Sequence, residues 1–297
     1  MKTWWRKGLF LGALGLLFLT GCSEKYPLLD PQGPVARKEY HMLLLTTILT
    51  GIVIVPVVIL LFVVAFRYRD KPNRKAAYKP DWHESKWLEI IWWGIPVIII
   101  LIIATVTVKE TFALQYPPEK KEPITVEVTS LDWKWLFTYP EQGIATVNYM
   151  NIPTDRPVKF VLTSDAPINA FWIPSLGGMQ YTMPGMAMRL WSQADEPGTY
   201  IGKGANFSGK HFAKMSFKVN AQSQEDFDKW VEEIKSTKPA LTNEGYAELS
   251  KQSVVGESAY SSYPKDLYMN ILMKNGGEYM PNHWMMMENQ KTAQPTK

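Results

Sequence analysis

The segment Met42–Phe66 contains no charged residue, and that constrains this chain more than any other feature. At 1.5 Å per residue it is long enough to cross a hydrocarbon core of ~30 Å with some tilt. Pro56 sits inside it and predicts a kink, which membrane helices tolerate. A second apolar span, Leu88–Val108, has one charge, Glu89, in its first turn. Neither span has a polar face, so both are read as transmembrane helices and not as core helices of a soluble fold. Between them, residues 67–87 hold Arg67, Arg69, Lys71, Arg74, Lys75, Lys79 and Lys86. A short loop this rich in Lys and Arg stays cytoplasmic. The segment 22–41 and everything after Val108 are then expected outside. The chain has 297 residues and a formal charge of +4. Its basic excess lies largely in this loop, so it speaks for membrane orientation and against nucleic-acid binding.

The N-terminus supports the same topology. Met1–Lys7 is a short basic stretch, and Gly8–Leu19 is an apolar run too short for a stable span. The run ends in Leu19-Thr20-Gly21-Cys22, which resembles the bacterial lipobox. Residues 1–21 are therefore expected to be a cleaved lipoprotein signal, with Cys22 lipidated at the outer face. The alternative is an uncleaved membrane helix with a chance cysteine. Cys22 is the only cysteine, which excludes an internal disulfide and any CxxC pair.

Beyond the second span the periodicity changes to two. Ile124, Val126 and Val128 alternate with polar residues, and Val158–Leu162 and Met215–Val219 read similarly. Turn residues cluster at Tyr139–Gly143, Asn151-Ile152-Pro153 and Glu196-Pro197-Gly198. Short strands so punctuated predict a sandwich or small barrel over residues 109–220. Glu225–Ser236 places Phe227, Trp230, Val231 and Ile234 at helical spacing. Residues 221–287 are read as a helical, aromatic-rich docking region, with Tyr260, Tyr263, Tyr268, Tyr279 and Trp284 too apolar for a free tail. A disordered tail is expected over 288–297.

Several motifs then carry a resemblance. Glu89-Ile90-Ile91-Trp92-Trp93-Gly94-Ile95-Pro96 resembles the start of the second membrane helix in subunit II of haem–copper terminal oxidases. Asp132-Trp133-Lys134-Trp135 looks like that family's aromatic strand. Phe171–Gly177, Met183-Pro184-Gly185-Met186 and Glu196–Tyr200 are similar to its cupredoxin-like domain in order and spacing. The resemblance implies a membrane α plus all-β chain: an N-terminal lipoprotein signal, a two-helix transmembrane hairpin, and an extracytoplasmic cupredoxin-like β-sandwich with short C-terminal helices.

In cytochrome c oxidases of this family the β domain holds two copper ions, bound by two Cys, two His, a Met and a Glu carbonyl. Soft thiolates and imidazoles suit such a centre. Aligned on Gly202, Gly209 and Met215, the positions here read Asn169 and Phe212 for the histidines. Gly204 and Ser208 replace the cysteines, and Asn206 replaces the Glu. Only Met215 remains, and His211 is one residue out of place. A chain whose one cysteine is Cys22 cannot form a bis-thiolate centre. The resemblance thus selects the quinol oxidases, which take electrons from a membrane-dissolved quinol. It implies no cofactor on this chain, haems and copper in a partner subunit I, and accompanying subunits III and IV. Two other readings compete: a copper-bearing cytochrome c oxidase subunit, or a free-standing lipoprotein for copper delivery or adhesion.

Glu89 matches a carboxylate proposed in the family as the mouth of a proton channel, and an ionisable group in a membrane segment is a functional candidate. Its plainer role is a first-turn Glu favoured by the helix dipole. Trp133 matches the Trp through which electrons enter copper-bearing relatives; without copper it is read as a packing aromatic. Met179, Met183, Met186 and Met188 form a loose copper(I)-like run without histidines and are read as contact residues. His41, His83 and His283 are scattered and are assigned no metal.

Overall fold

The computed structural model describes residues 26–69, 84–117 and 121–277. The leader, Cys22, His83, most of the basic loop, Tyr279, His283, Trp284 and the tail lie outside them. Two long helices come first, α1 (Pro34–Arg67) and α2 (Lys86–Leu114). Each encloses an apolar span read from the sequence and runs past it. Helix α1 starts eight residues before Met42, on Gly33 as N-cap with Pro34 in its first turn, because Pro suits the first turn and its missing N–H costs nothing there. At 34 residues it is about 51 Å long, so its outer end projects beyond a ~30 Å hydrocarbon layer. Helix α2 likewise continues from Val108 to Leu114. None of its residues is buried within the chain, and Thr105 satisfies its hydroxyl on the Leu101 carbonyl (2.7 Å). Apolar surface on this scale requires lipid or another membrane subunit. The outer ends of the two helices are tied by Lys38 and Glu110 (3.1 Å).

The β domain contains strands β1 (Ile124–Leu131), β2 (Lys134–Tyr139), β3 (Ile144–Val147), β4 (Tyr149–Pro153), β5 (Val158–Ser164), β6 (Asn169–Trp172), β7 (Met179–Thr182), β8 (Met188–Ser192), β9 (Gly198–Gly204) and β10 (Ser216–Gln222). Helices α3 (Gln224–Thr237) and α4 (Asn243–Leu249), strand β11 (Ser258–Tyr260) and helix α5 (Leu267–Lys274) follow. Two sheets face each other, in the orders β11-β3-β2-β1-β5-β8 and β4-β10-β9-β6-β7. The alternating runs become β1, β5 and β10. Val126, Val128, Phe160, Leu162, Phe217 and Val219 point between the sheets and are buried. Phe171 and Phe217 stack at the centre, 5.1 Å apart, with Trp135 edge-on to both.

One expected turn is a strand. Asn151-Ile152-Pro153 lies in β4, parallel to β10. Pro153 is tolerated because it ends an edge strand. Asn151 is held by the buried Tyr139 hydroxyl, which donates to its carbonyl (3.0 Å) and accepts from its N–H (3.1 Å).

The amphipathic helix forms as expected. Ser223 caps α3 by accepting from the Asp226 N–H, and Phe227, Val231 and Ile234 pack into the core. The rest of the docking region, as far as Gly277, folds back on its own domain. Strand β11 extends the first sheet against β3, and Leu267 and Ile271 bury against Leu136 and Val147. Two polar fasteners hold it. Asp165 accepts from Tyr246 (2.7 Å), Lys274 (3.0 Å) and Asn275 (2.8 Å). Lys134, fully buried, donates to the Lys251 carbonyl (2.7 Å) and the Ser253 hydroxyl (3.0 Å).

This packing has an alkaline signature. Burial pushes the Tyr263 hydroxyl up to about 12, and Tyr139, Tyr246 and Tyr268 higher still. Unfolded tyrosines ionise near pH 10, so above that pH the unfolded chain releases protons that the folded chain keeps. Stability must fall as pH rises from about 10 toward 12. Urea unfolding of the full chain in detergent will show the midpoint dropping over that window. A flat profile would contradict the burial of these hydroxyls.

Candidate functional site

The degenerate copper positions gather where β6 starts and β9 ends. Asn169 is buried, and its amide nitrogen lies 2.8 Å from Met215 Sδ and 3.3 Å from Ser208 Oγ. Ser208 Oγ is 4.0 Å from the same sulfur. Gly204 closes the floor: its N–H donates to the Met215 carbonyl (2.9 Å). A Cβ there would stand 2.8 Å from Asn169 Oδ1 and 3.5 Å from Met215 Sδ. The place where thiolates and an imidazole would converge is therefore closed by an amide, a hydroxyl and a thioether bonded to one another.

The other aligned residues do not join them. Asn206 turns its amide to the Ile168 carbonyl (3.0 Å); it matches a position whose backbone carbonyl is the ligand, so its side chain is under no demand to converge. Phe212 opens a 3₁₀ turn, Phe212–Lys214, and packs on Phe207 (5.7 Å). His211 lies edge-on to Trp133 (4.7 Å). Of the donors present only Met215 is a soft metal ligand, and one thioether cannot hold two copper ions. Among the described residues no three His, Cys, Asp or Glu side chains cluster as a metal site. The residues do not fit the family's copper centre.

Trp133 still clamps this loop. It adopts a left-handed φ of 62°, uncommon for a bulky residue, and its indole N–H donates to the Ser208 carbonyl (3.0 Å). The methionines are dispersed. Met179 is exposed on β7, Met188 packs against the core, and Met183 with Met186 forms a turn. That turn is not a free surface loop: Gly185, at φ 71°, lies directly against the Asn275 carbonyl. Glu89 stands in the first turn of α2, exposed on this chain, at the end of the hairpin opposite the Lys38–Glu110 pair. His41 is exposed near the outer end of α1 beside Tyr40.

Sequence reasoning missed the joint between the membrane hairpin and the β domain. The turn from β6 to β7 passes over the outer end of α1. The Gly178 N–H donates to Glu39 Oε1 (3.0 Å). Gly177, at φ 80°, leaves no room for a side chain against the Ala36 backbone. Arg37 pairs with Asp195, and Gln32 exchanges backbone bonds with Ser175 (2.8 Å) and Asp195 (3.0 Å). Helix α2 joins through its last carbonyl, Leu114, which accepts from Trp191 Nε1 (2.7 Å). The adjacent pair Gly177-Gly178 was the one sequence signal of a close backbone approach.

Comparison with known proteins agrees with these features. The family described as cytochrome c oxidase subunit II, transmembrane domain, matches residues 34–109, and its periplasmic domain matches residues 139–222. Quinol oxidase subunit 2 of Bacillus anthracis is 46% identical over 265 residues, covering 88% of this chain and 91% of its own. Cytochrome bo(3) ubiquinol oxidase subunit 2 of Pseudomonas putida is 43% identical over 268 residues, covering 89% of this chain and 84% of its own. Among solved structures, the periplasmic domain of cytochrome oxidase subunit II of Bradyrhizobium japonicum is 24% identical, covering 38% of this chain and 93% of that one, with a TM-score of 0.37.

Proposed function

This chain belongs to the cytochrome c oxidase subunit II family, and from that premise we infer that it is subunit II of a quinol oxidase, a membrane complex that oxidises quinol and reduces oxygen to water. The observation that carries this reading is the closed pocket of Asn169, Gly204, Ser208 and Met215. A domain that cannot hold copper cannot relay electrons from a soluble cytochrome, whereas a quinol delivers them within the membrane. The catalytic centres, haems and copper, belong to subunit I, which this chain holds and orients; subunits III and IV complete the assembly. The complex moves protons outward. Oxygen uptake by the complex purified through this chain tests the reading. It should run on a quinol and not on reduced cytochrome c; uptake driven by cytochrome c would refute it.

Two surfaces serve subunit I. Within the membrane they are the lipid-length faces of α1 and α2, bare within this chain. Outside it is the outer face of the second sheet, where Trp172, Met179, Tyr181 and Ile201 project, with Phe207 exposed on the loop that follows β9. Gly178 and Glu39 fix that face beside the outer end of α1. Cys22 carries the lipid once residues 1–21 are removed, and an intact mass of the purified chain beginning at an acylated Cys22 is the expected result.

Glu89 is the mouth of a proton path into the complex. It is an ionisable side chain in a span with no other charge before Lys109, placed at the cytoplasmic end. Glu89→Gln keeps the shape and removes the titrating proton. Turnover of the assembled complex should fall severalfold with its haem content unchanged; unaltered turnover and pumping would assign Glu89 to the helix dipole alone.

A further inference from the structure

Tyr279, Met280, Trp284 and Met285–Met287 form an apolar stretch near the end of the chain, and the fold fixes the place from which that stretch sets out. Helix α5 ends at Lys274, Asn275 is its C-cap, and Gly276 turns the chain off the helix at φ 97°. This corner is held from two sides. Lys274 and Asn275 donate to Asp165, the first residue of the loop from β5 to β6 (3.0 and 2.8 Å). Gly185, in the turn from β7 to β8, lies directly against the Asn275 carbonyl. Gly277 is buried against the Leu272 carbonyl. Residue 278 therefore departs between these two connections.

Each connection leads to an exposed apolar side chain. Ile168 follows Asp165 by three residues, a backbone distance of at most about 11 Å. Tyr181 precedes Gly185 by four, at most about 14 Å. The Ile168 carbonyl accepts from the Asn206 amide (3.0 Å), which brings Phe207 alongside. Phe207 is 76% exposed, more than Phe62, Phe66 or Phe112 on the bare membrane helices. Outside the membrane, an aromatic this bare with two apolar neighbours marks a surface that another segment covers.

Reach, composition and charge select the occupant. Trp284 follows Gly277 by seven residues, an extended reach of about 23 Å. Two strand spacings, from β7 across β6 to β9, take up only about 10 Å. Glu278 and Glu288 flank the apolar stretch. On the other side, no Asp or Glu occurs from Pro197 to Gln224, and Lys210 and Lys214 are exposed on the loop that carries Phe207. The two acids bordering this surface are accounted for: Asp165 is held by Tyr246, Lys274 and Asn275, and Asp132 stands one residue before the Trp133 clamp.

We propose that the chain's own segment Tyr279–Met287 folds back over Ile168, Tyr181 and Phe207, with Trp284 on Phe207, and braces the loop from Ala205 to Lys214. That loop cannot be held by copper, and the segment gives it a second clamp opposite the Trp133 indole. The covered corner borders the sheet face read as meeting subunit I, and the inference stands independently of that reading.

Two measurements test it on material purified through this chain in detergent. The first is Phe207→p-benzoylphenylalanine, irradiated and mapped by mass spectrometry. The cross-link should join Phe207 to the peptide containing Trp284 of the same chain. A cross-link to subunit I, to lipid or to a second copy, seen as a covalent dimer, would overturn the proposal, and so would the absence of any cross-link. The second is hydrogen exchange. In a chain ending at Gly277, amides of residues 205–214 should exchange about tenfold faster, the effect of uncovering one large apolar side chain, while those of β1 and β5 keep their rates. Trp284→Ser, Met285→Ser and Met286→Ser combined should give the same increase without touching the described fold. Unchanged exchange in that variant would overturn the proposal even if the shortened chain fails to fold. Absence of haem from the preparation would count against the quinol oxidase reading and leaves both measurements intact.

Discussion

Gly177→Val is expected to uncouple the β domain from the membrane hairpin and abolish co-purification of haem with this chain. Gly177 holds φ 80°, and a Cβ there would lie 2.5 Å from the Ala36 nitrogen and 2.8 Å from its Cα. The left-handed conformation alone costs an L-residue roughly 1–2 kcal/mol. The larger effect is steric, because the obstructing atoms are helix backbone and cannot swing aside. Helix α1 must move off the β6–β7 turn, and the Gly178–Glu39 bond and the Arg37–Asp195 pair go with it. The sheet face carrying Trp172 and Met179, proposed to meet subunit I, would then lose its fixed position on the hairpin. Gly143→Ala is the matched control. It has a similar φ of 71° but nothing within 4 Å of a new Cβ, so it bears only the backbone cost. Full haem recovery with Gly177→Val would show that the joint does not orient the domain.

Trp135→Ala should destabilise the β domain by about 3–5 kcal/mol, a large part of the 5–15 kcal/mol available to a typical domain. Trp135 is fully buried, edge-on to Phe171 at 5.5 Å and Phe217 at 5.6 Å. Its removal opens a cavity beneath the degenerate pocket, beside the Met215 backbone. Two residues earlier, Trp133→Phe should cost only about 1 kcal/mol, one hydrogen bond to the Ser208 carbonyl. Near-ultraviolet circular dichroism of the full chain in detergent during urea unfolding will separate the two. Equal midpoints would mean that the aromatic centre is not where stability resides.

The difference between these tryptophans marks how far the sequence could be read. Periodicity found β1, β5 and β10 because each has one face in the core and one that is polar. It could not find the role of β2, in which every residue from Lys134 to Tyr139 is buried. Its outer face is covered by residues more than a hundred positions later, and no local pattern reports a cover so distant. Lys134 shows the cost of that blindness: a lysine in a strand reads as surface, yet its ammonium is sealed under the carbonyl of Lys251. The same non-local pairing turned Asn151-Ile152-Pro153 from an expected turn into an edge strand. The apolar spans were legible because a bilayer imposes length and polarity on the sequence directly. Their ends were not, because the helices continue into water to meet the β domain.

At the pocket, alignment with the family located Asn169, Gly204, Ser208 and Met215, which the fold brings together. It could not foresee that Phe212 would swing to Phe207 or that His211 would settle against Trp133. Those outcomes depend on ring packing in a loop freed from metal geometry. The site is read more securely from what its residues can bond than from which family positions they occupy.

The most direct test of the account is the near-infrared spectrum of the purified complex, recorded with its copper-to-haem ratio before and after incubation with copper. The closed pocket predicts no dinuclear-copper absorption in either sample and no copper beyond that of subunit I. A near-infrared dinuclear-copper band that tracks this chain would contradict the account, since it would require a two-copper centre where Asn169, Ser208 and Met215 bond to one another.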